Sequence, residues 1–442
     1  MTSFRKILLL AALLLAVQGI FAQLPVPVEQ LRDYCKREVP VGYSPRLNAL
    51  TLIPKGNLHY LFPLYHAFKD EAKFKNIYTE KGYYNELSEY FAFAGDYGTA
   101  MTYLEKSYDS IDDGTRRKVF RMVEGIGNVE HADAWKYIHF AARRSKVVMI
   151  NEAHDKPQHS AFVLSLLADL YKVGYRLLAM EMLNNTSTRE LSSLRLATGY
   201  YTAEPVTGEL VRNALAIGYK LVAYEDTLTG HTPTTRDSIQ AANIYDALRE
   251  DTSAKMLVLA SYGHISKKAA PDGFVPMALA FKRMSGIDPL IIDQTDMTEE
   301  SNFGYGRVLY QAYLQKFPLK TPSIALLNNT PVNVIHGDLY DLSVIHPPTI
   351  YQDGRPTWLN LGGQRQPIPI KPSSPAVFLV QAYYQDEVAR NENKPWQLVP
   401  ADQTYIAGGK KLYLLYLKKG KYTVYFRNID YHILNTLDIE VN

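Results

Sequence analysis

The chain has 442 residues, a formal net charge of +3 and one cysteine, Cys35, in a composition that is 47% apolar. So small a charge, with no Lys/Arg block interleaved with aromatics, excludes nucleic-acid binding as a working class. A lone cysteine excludes an internal disulfide, so stability comes from buried cores, divided among two or three units at ~150 residues each.

The chain opens with Arg5 and Lys6, an apolar run over Ile7–Val17, and then Gly19-Ile20-Phe21-Ala22-Gln23. A basic start, a short apolar core and a small-residue exit describe a secretory signal over residues 1–22, cut after Ala22. The run is short for a membrane span, and no later stretch reaches about 18 apolar residues. Cleavage leaves Gln23 first rather than a cysteine, which argues against a lipid anchor. The expectation is an exported protein, periplasmic or extracellular, with no transmembrane segment after cleavage.

Residues 23–144 read as a helical region. Within it Tyr84–Tyr108 resembles one tetratricopeptide unit, with small Ala94, a Gly95-Asp96-Tyr97 turn, and Ala100 and Leu104 at helical spacing. No second copy follows at that period, and a solenoid needs about three. The segment is therefore expected as a lid or brace on the main domain, with a partner-binding module as the alternative.

Residues 145–330 alternate regularly. Strands are expected at Lys146–Asn151, Arg176–Met180, Lys220–Tyr224, Met256–Ser261 and Leu290–Asp293. Helices are expected at Pro157–Val173, Glu209–Ile217, Arg236–Glu250 and Phe274–Met284. Short Val/Ile/Leu runs between helices predict an α/β fold, a central parallel sheet with helices on both faces and right-handed crossovers. Residues 331–442 change character. Frequent Pro and Gly give way to alternating segments at Ala376–Tyr384, Lys411–Leu417 and Lys421–Arg427, with Gly408-Gly409 and Gly420 as turns. That predicts a small antiparallel β domain, a sandwich. The 33 tyrosines fit strands and half-buried faces better than stacking surfaces.

Loops at the carboxyl ends of parallel strands converge on one crevice, and each expected strand here ends in titratable residues. Glu152-Ala153-His154-Asp155 follows the first, Glu181 the second, Tyr224-Glu225-Asp226 the third and Gly263-His264 the fourth, while Asp293 closes the fifth. A single acid after a strand is ordinarily a cap or turn former; five in succession point to a shared pocket. Glu152, His154, Glu181 and His264 are the catalytic candidates. Asp155, His159, Tyr224, Glu225, Arg236 and Tyr262 are the substrate- or ligand-binding candidates. Histidine beside carboxylate suits general-base catalysis, a divalent metal or a haem axial ligand, and spacing alone does not choose among them. No Gly-x-Ser-x-Gly elbow, His-Glu-x-x-His helix or phosphate-cradling glycine loop is present. Ser261 reads as a strand-end residue, and Cys35 lies far from the cluster.

Taken together, Glu152-x-His154-Asp155-x-Pro157-x-His159, Ala179-Met180-Glu181-Met182, Arg236-Asp237…Ala241-x-Asn243 and Gly263-His264-Ile265-Ser266-Lys267-Lys268…Gly273-Phe274-Val275-Pro276 resemble the ChaN-like haem-binding uptake proteins. More distantly they resemble the erythromycin esterases and the Tiki/TraB group. The resemblance covers Lys146–Gln294, about a third of the chain. Its esterase branch implies ester or lactone hydrolysis without a serine nucleophile, with His154 or His264 activating water and Glu152 and Glu181 orienting it. The ChaN branch implies haem capture by a His or Tyr of these loops, with Arg236, Lys267 and Lys268 available to the propionates. The Tiki branch implies metal-dependent peptide cleavage through Glu and His ligands. The sequence departs from the pattern at Asn151, where the family usually has glycine. The Glu152–His154 spacing is one residue shorter than in the esterases, as on the ChaN side. The expectation is thus an exported hydrolase acting on a small ester- or amide-like molecule, with non-catalytic haem binding as the alternative.

Overall fold

The computed structural model describes residues 26–38, 59–184, 193–301, 305–406 and 412–442. The expected signal segment and the Gly408-Gly409 turn lie outside the described residues. Among these, no helix is long and apolar enough to cross a membrane.

The chain begins with helices α1 (Val26–Arg37), α2 (Phe62–Lys69), α3 (Glu71–Phe93), α4 (Tyr97–Ser107) and α5 (Asp113–Glu124). The tetratricopeptide-like segment forms an antiparallel pair, α3 and α4, turning at Gly95. That residue has φ +80°, and a Cβ on it would sit 2.6 Å from the Gln403 carbonyl oxygen, so the site demands glycine. The helical run is then broken by β1 (Glu130–Asp133), an edge strand with no apolar alternation to betray it.

The α/β layer follows as α6 (Ala134–Ala142), β2 (Val147–Glu152), α7 (Pro157–Lys172), β3 (Tyr175–Met180), α8 (Pro205–Ile217), β4 (Lys220–Ala223), α9 (Pro233–Glu250), β5 (Lys255–Ser261), α10 (Met277–Ser285), β6 (Leu290–Asp293), α11 (Gly306–Lys316), β7 (Ser323–Leu327), β8 (Thr330–Pro331) and β9 (Leu342–Ile345). Proline stands in the first turn of α7, α8 and α9, where its missing N–H costs nothing and its fixed φ suits the helix. Glu204 caps α8 through the Thr207 amide at 2.7 Å, and Gly218 ends it at φ +108°.

These strands form a nine-stranded sheet in the order β1-β7-β9-β6-β2-β5-β3-β4, with β8 on β7. It is parallel from β9 to β4 and antiparallel at β7 and β1. The period-two alternation divides it cleanly. Val148, Ile150, Leu178, Met180, Leu257 and Leu259 pack against α7 and α8 on one face. Val147, Met149, Leu177, Ala179, Met256 and Val258 pack against α9 and α10 on the other. The sheet draws strands from both sides of residues 145–330, because β1 precedes that range and β9 follows it.

Beyond it come β10 (Tyr351–Gln352), β11 (Arg355–Pro356), β12 (Gln366–Ile370), β13 (Leu379–Tyr384), α12 (Gln385–Arg390), β14 (Asp402–Tyr405), β15 (Tyr413–Leu417), β16 (Gly420–Arg427) and β17 (Ile433–Val441). A four-stranded antiparallel sheet, β14-β13-β16-β17, faces the β12-β15 pair across a core that includes Val380, Tyr413, Leu415, Val424 and Phe426. Among the described residues many tyrosines are almost fully buried, Tyr65, Tyr175 and Tyr383 among them. The hydroxyl of Tyr175, for example, donates to the Ala142 and Ser145 carbonyls at 3.1 Å.

Two buried polar clamps join the C-terminal sheets to the rest. Arg355 donates to the Gly95 carbonyl at 2.9 Å and to both Asp402 oxygens at 2.5 and 2.7 Å. Glu209 on α8, fully buried, meets Lys418 at 2.9 Å, Arg365 at 3.2 Å and the Tyr384 hydroxyl at 3.0 Å. Burial opposes its charge, but Arg365, Lys418 and Arg212 outweigh burial and hold the carboxyl down at about 2. A carboxyl held below its ordinary 4.5 stabilises the fold above that pH and loses the contribution as pH falls towards about 2. Replacing it, as in Glu209→Gln, leaves buried cations uncompensated and is expected to cost about 3–5 kcal/mol. Urea unfolding at neutral pH measures this, and the deficit should shrink on acidification.

Candidate functional site

The carboxyl ends of β2, β3 and β5 meet beneath α3 and the Tyr200–Tyr201 turn. The Glu152 side chain closes β2 with Oε1 2.8 Å from His154 Nδ1. The His154 ring stacks on Tyr201, centroids 4.1 Å apart at 11°, and meets Tyr262 edge-on at 5.8 Å. Burial alone would lower the His154 pKa. The charge and hydrogen bond of Glu152, with the charges of Glu181 and Glu89, outweigh it and raise the imidazole to about 9.

Glu181 follows β3. Its Oε2 accepts from the Ser261 amide at 2.7 Å and hydroxyl at 2.9 Å, and its Oε1 from Arg236 at 2.6 Å. Burial would raise its pKa, but His264, the Ser261 amide and Arg236 hold it below the ordinary value. Arg236 also donates from Nε to Glu225 at 2.9 Å, and its Nη1 lies 3.5 Å from His264 Nε2. His264 is fixed through Nδ1 by both oxygens of buried Asp237, at 2.9 and 2.8 Å. Asp237 in turn accepts from the Met277 amide at 2.8 Å. Burial lowers the His264 pKa, but Asp237 and Glu181 outweigh burial and raise it. The charge of Glu181 acts on both histidines, so the candidate catalytic residues stand around one cleft.

The other candidates have different places. Asp155 lines a cavity of about 290 Å³ with Asn85, Tyr108, Ala153, Lys156, Tyr262 and Thr295. His159 is fully buried against His346 and accepts the Ala153 amide at 3.0 Å, so it braces the loop that carries His154. Burial holds it neutral. Tyr224 is a core residue whose hydroxyl donates to the Leu259 carbonyl at 2.9 Å. Lys267 and Lys268 pair with Asp341 and Asp338. Buried Asp293 holds Asn151 at 2.7 Å and Thr295 at 2.9 Å. Burial pushes the Cys35 thiol in α1 up to about 12, an inert group.

Residues outside the sequence-derived set complete the cleft. Asp237 stood beside Arg236 in a quoted motif, without a role. Glu89 comes from α3 and accepts the Tyr200 hydroxyl at 2.9 Å; burial raises its carboxyl to about 7. Asn85 and Glu89 lie one helical turn apart on a helix of mixed polar and apolar residues, which carries no local signal for them. The tetratricopeptide-like segment thus forms a wall of the cleft.

The donor set does not fit a divalent metal. The guanidinium of Arg236 already occupies the space between Glu181 and Glu225. Among the described residues no His/Cys/Asp/Glu group is arranged to hold a metal ion. Nor does the cavity fit a tetrapyrrole. About 290 Å³ is at the low edge of the ~300–1,000 Å³ that drug-sized ligands occupy, and Asn85, Asp155, Lys156 and Thr295 stand in its walls.

No family model matches the chain, and no curated protein matches it. Among solved structures it is similar to the type III effector HopBA1, at 15% identity over 50% of this chain and 97% of that one, with a TM-score of 0.33. A structure described as bacterial protein toxins overlaps 48% of this chain and 46% of its own, at 15% identity and a TM-score of 0.29. RRSP, a MARTX toxin effector domain from Vibrio vulnificus CMCP6, overlaps 51% and 45%, at 15% identity and a TM-score of 0.28. These overlaps are too slight to inform the chemistry.

A His154 pKa raised by Glu152 adds stability that is full below 6.5 and is lost as pH rises through about 9. In an NMR titration the His154 ring should titrate near 9, and in Glu152→Gln it should fall to 6.5 or below. An unshifted midpoint in the variant would refute the pairing.

Proposed function

We propose that this chain is an exported hydrolase that activates water against a small ester- or amide-like substrate. The observation that carries the reading is the Asp237–His264 pair. Asp237 holds Nδ1, which fixes the tautomer and supports the imidazolium formed on proton uptake, and Nε2 remains as the base. Export rests on the basic and apolar N-terminal pattern at residues 1–22.

In the proposed reaction Nε2 of His264 takes a proton from water as the oxygen attacks the acyl carbon. The carbonyl π electrons move to oxygen, and the tetrahedral oxyanion faces cationic His154, which is protonated at neutral pH by virtue of Glu152. Collapse re-forms the carbonyl and expels the alkoxide or amine, which takes its proton from His264. Glu181 and Glu225 keep Arg236 beside the base, where its positive charge opposes premature protonation. Ser261 spends its hydroxyl on Glu181, so water is the nucleophile.

The test is a panel of p-nitrophenyl esters, lactones and aryl amides with the purified protein. His264→Ala should lower kcat/KM by about 10²–10⁴-fold, the usual worth of a general base, with an unchanged melting temperature. Asp237→Asn should lower kcat with little change in KM. Full turnover in both variants would reject the assignment.

A further inference from the structure

Next to the histidines lie two buried groups that water activation does not use. Asp155 is 7% exposed, and among the described residues its Oδ1 has no hydrogen-bond partner. Leaving a carboxylate dry and unpaired is costly, so the position asks for a donor. Lys156 is equally buried and donates from Nζ to the Glu300 carbonyl at 3.0 Å. That uses one of the ammonium's three donors, and among the described residues no other acceptor takes the rest.

Both residues line the cavity of about 290 Å³, together with the rings of Tyr108 and Tyr262 and with Asn85. Tyr262 is also the ring that meets His154, so the cavity adjoins the catalytic cleft. A cationic ligand here would meet Lys156, and an anionic one Asp155. A neutral group with a donor and an acceptor on adjacent atoms satisfies both. Vicinal hydroxyls are such a group, and tyrosine rings offer them an apolar wall.

We propose that this cavity is a hydroxyl-recognition subsite for a sugar-like polyol portion of the substrate, with Asp155 accepting from one hydroxyl and Lys156 donating to its neighbour. The inference rests on the hydrolase reading for the word substrate, but the binding itself does not require turnover.

Saturation-transfer NMR on the full chain tests it, with cis-1,2-cyclohexanediol and methyl β-D-glucopyranoside as probes and cyclohexanol, tetramethylammonium and acetate as comparisons. The diol and the glucoside should bind saturably. Cyclohexanol should bind about tenfold more weakly or worse, the loss expected for a hydrogen bond to a charged group. Asp155→Asn and Lys156→Gln should each weaken the diol by a similar factor, while His264→Ala keeps it. If Asp155→Asn fails to fold, Lys156→Gln and Tyr108→Leu carry the readout. Equal binding of diol and cyclohexanol, no diol binding, or preference for either ion overturns the subsite. Diol binding without turnover of any ester or amide sinks the hydrolase alone. Turnover without diol binding sinks the subsite alone.

Discussion

A single buried amide holds the carboxyl end of the parallel strands together. Asn151 donates to the Tyr262 carbonyl at 3.0 Å, to Asp293 at 2.7 Å and to Thr295 at 3.1 Å, and accepts the Gln294 amide at 2.8 Å. One side chain therefore ties the end of β2 to the turns after β5 and β6. A buried amide is tolerable only when its donors and acceptor are satisfied, and here each partner lies on a neighbouring strand end. Tyr262 sits at φ +38°, a backbone shape that a non-glycine residue keeps only when its surroundings hold it. The Asn151 contact is part of that hold. Asn151 is thus a structural tie among three strand ends.

The charges beside Asn151 follow one rule: every cation in the cleft faces a carboxylate. Glu152 meets His154, Asp237 meets His264, and Arg236 lies between Glu181 and Glu225. Burial without such pairing would neutralise these groups. Pairing instead sets opposite charges face to face in a partly dry place, where their fields are stronger than in water.

Legibility followed the physics of each segment. Buried parallel strands such as Val147–Glu152 and Lys255–Ser261 announce themselves as apolar runs, and Pro157 marks the start of its crossover helix, whereas Pro205 and Pro233 begin theirs ahead of the expected Glu209 and Arg236. The strand ends therefore located Glu152, His154, Glu181 and His264 directly. Glu130–Asp133 stayed hidden because an antiparallel edge strand of polar residues carries no period. Leu342–Ile345 is too short to stand out within a Pro- and Gly-rich stretch. Glu89, Asn85 and Tyr201 reach the cleft only through tertiary packing, which local pattern does not encode. His159 and Tyr224 occupy the expected positions in the chain, but their side chains turn into the core.

The clamp between Gly95 and Arg355 has a consequence for the order in which the molecule is assembled. The helices that wall the cleft leave the ribosome early, whereas Arg355, Asp402 and Gln403, which secure them, come roughly 260–310 residues later. Contacts so distant in sequence are made late, after their loop-closure entropy has been met. The paired α3 and α4 wait with an unfilled flank through most of synthesis. Only the last quarter of the chain closes the wall, so a nascent or truncated product has the central parallel strands in place and the cleft still open to water.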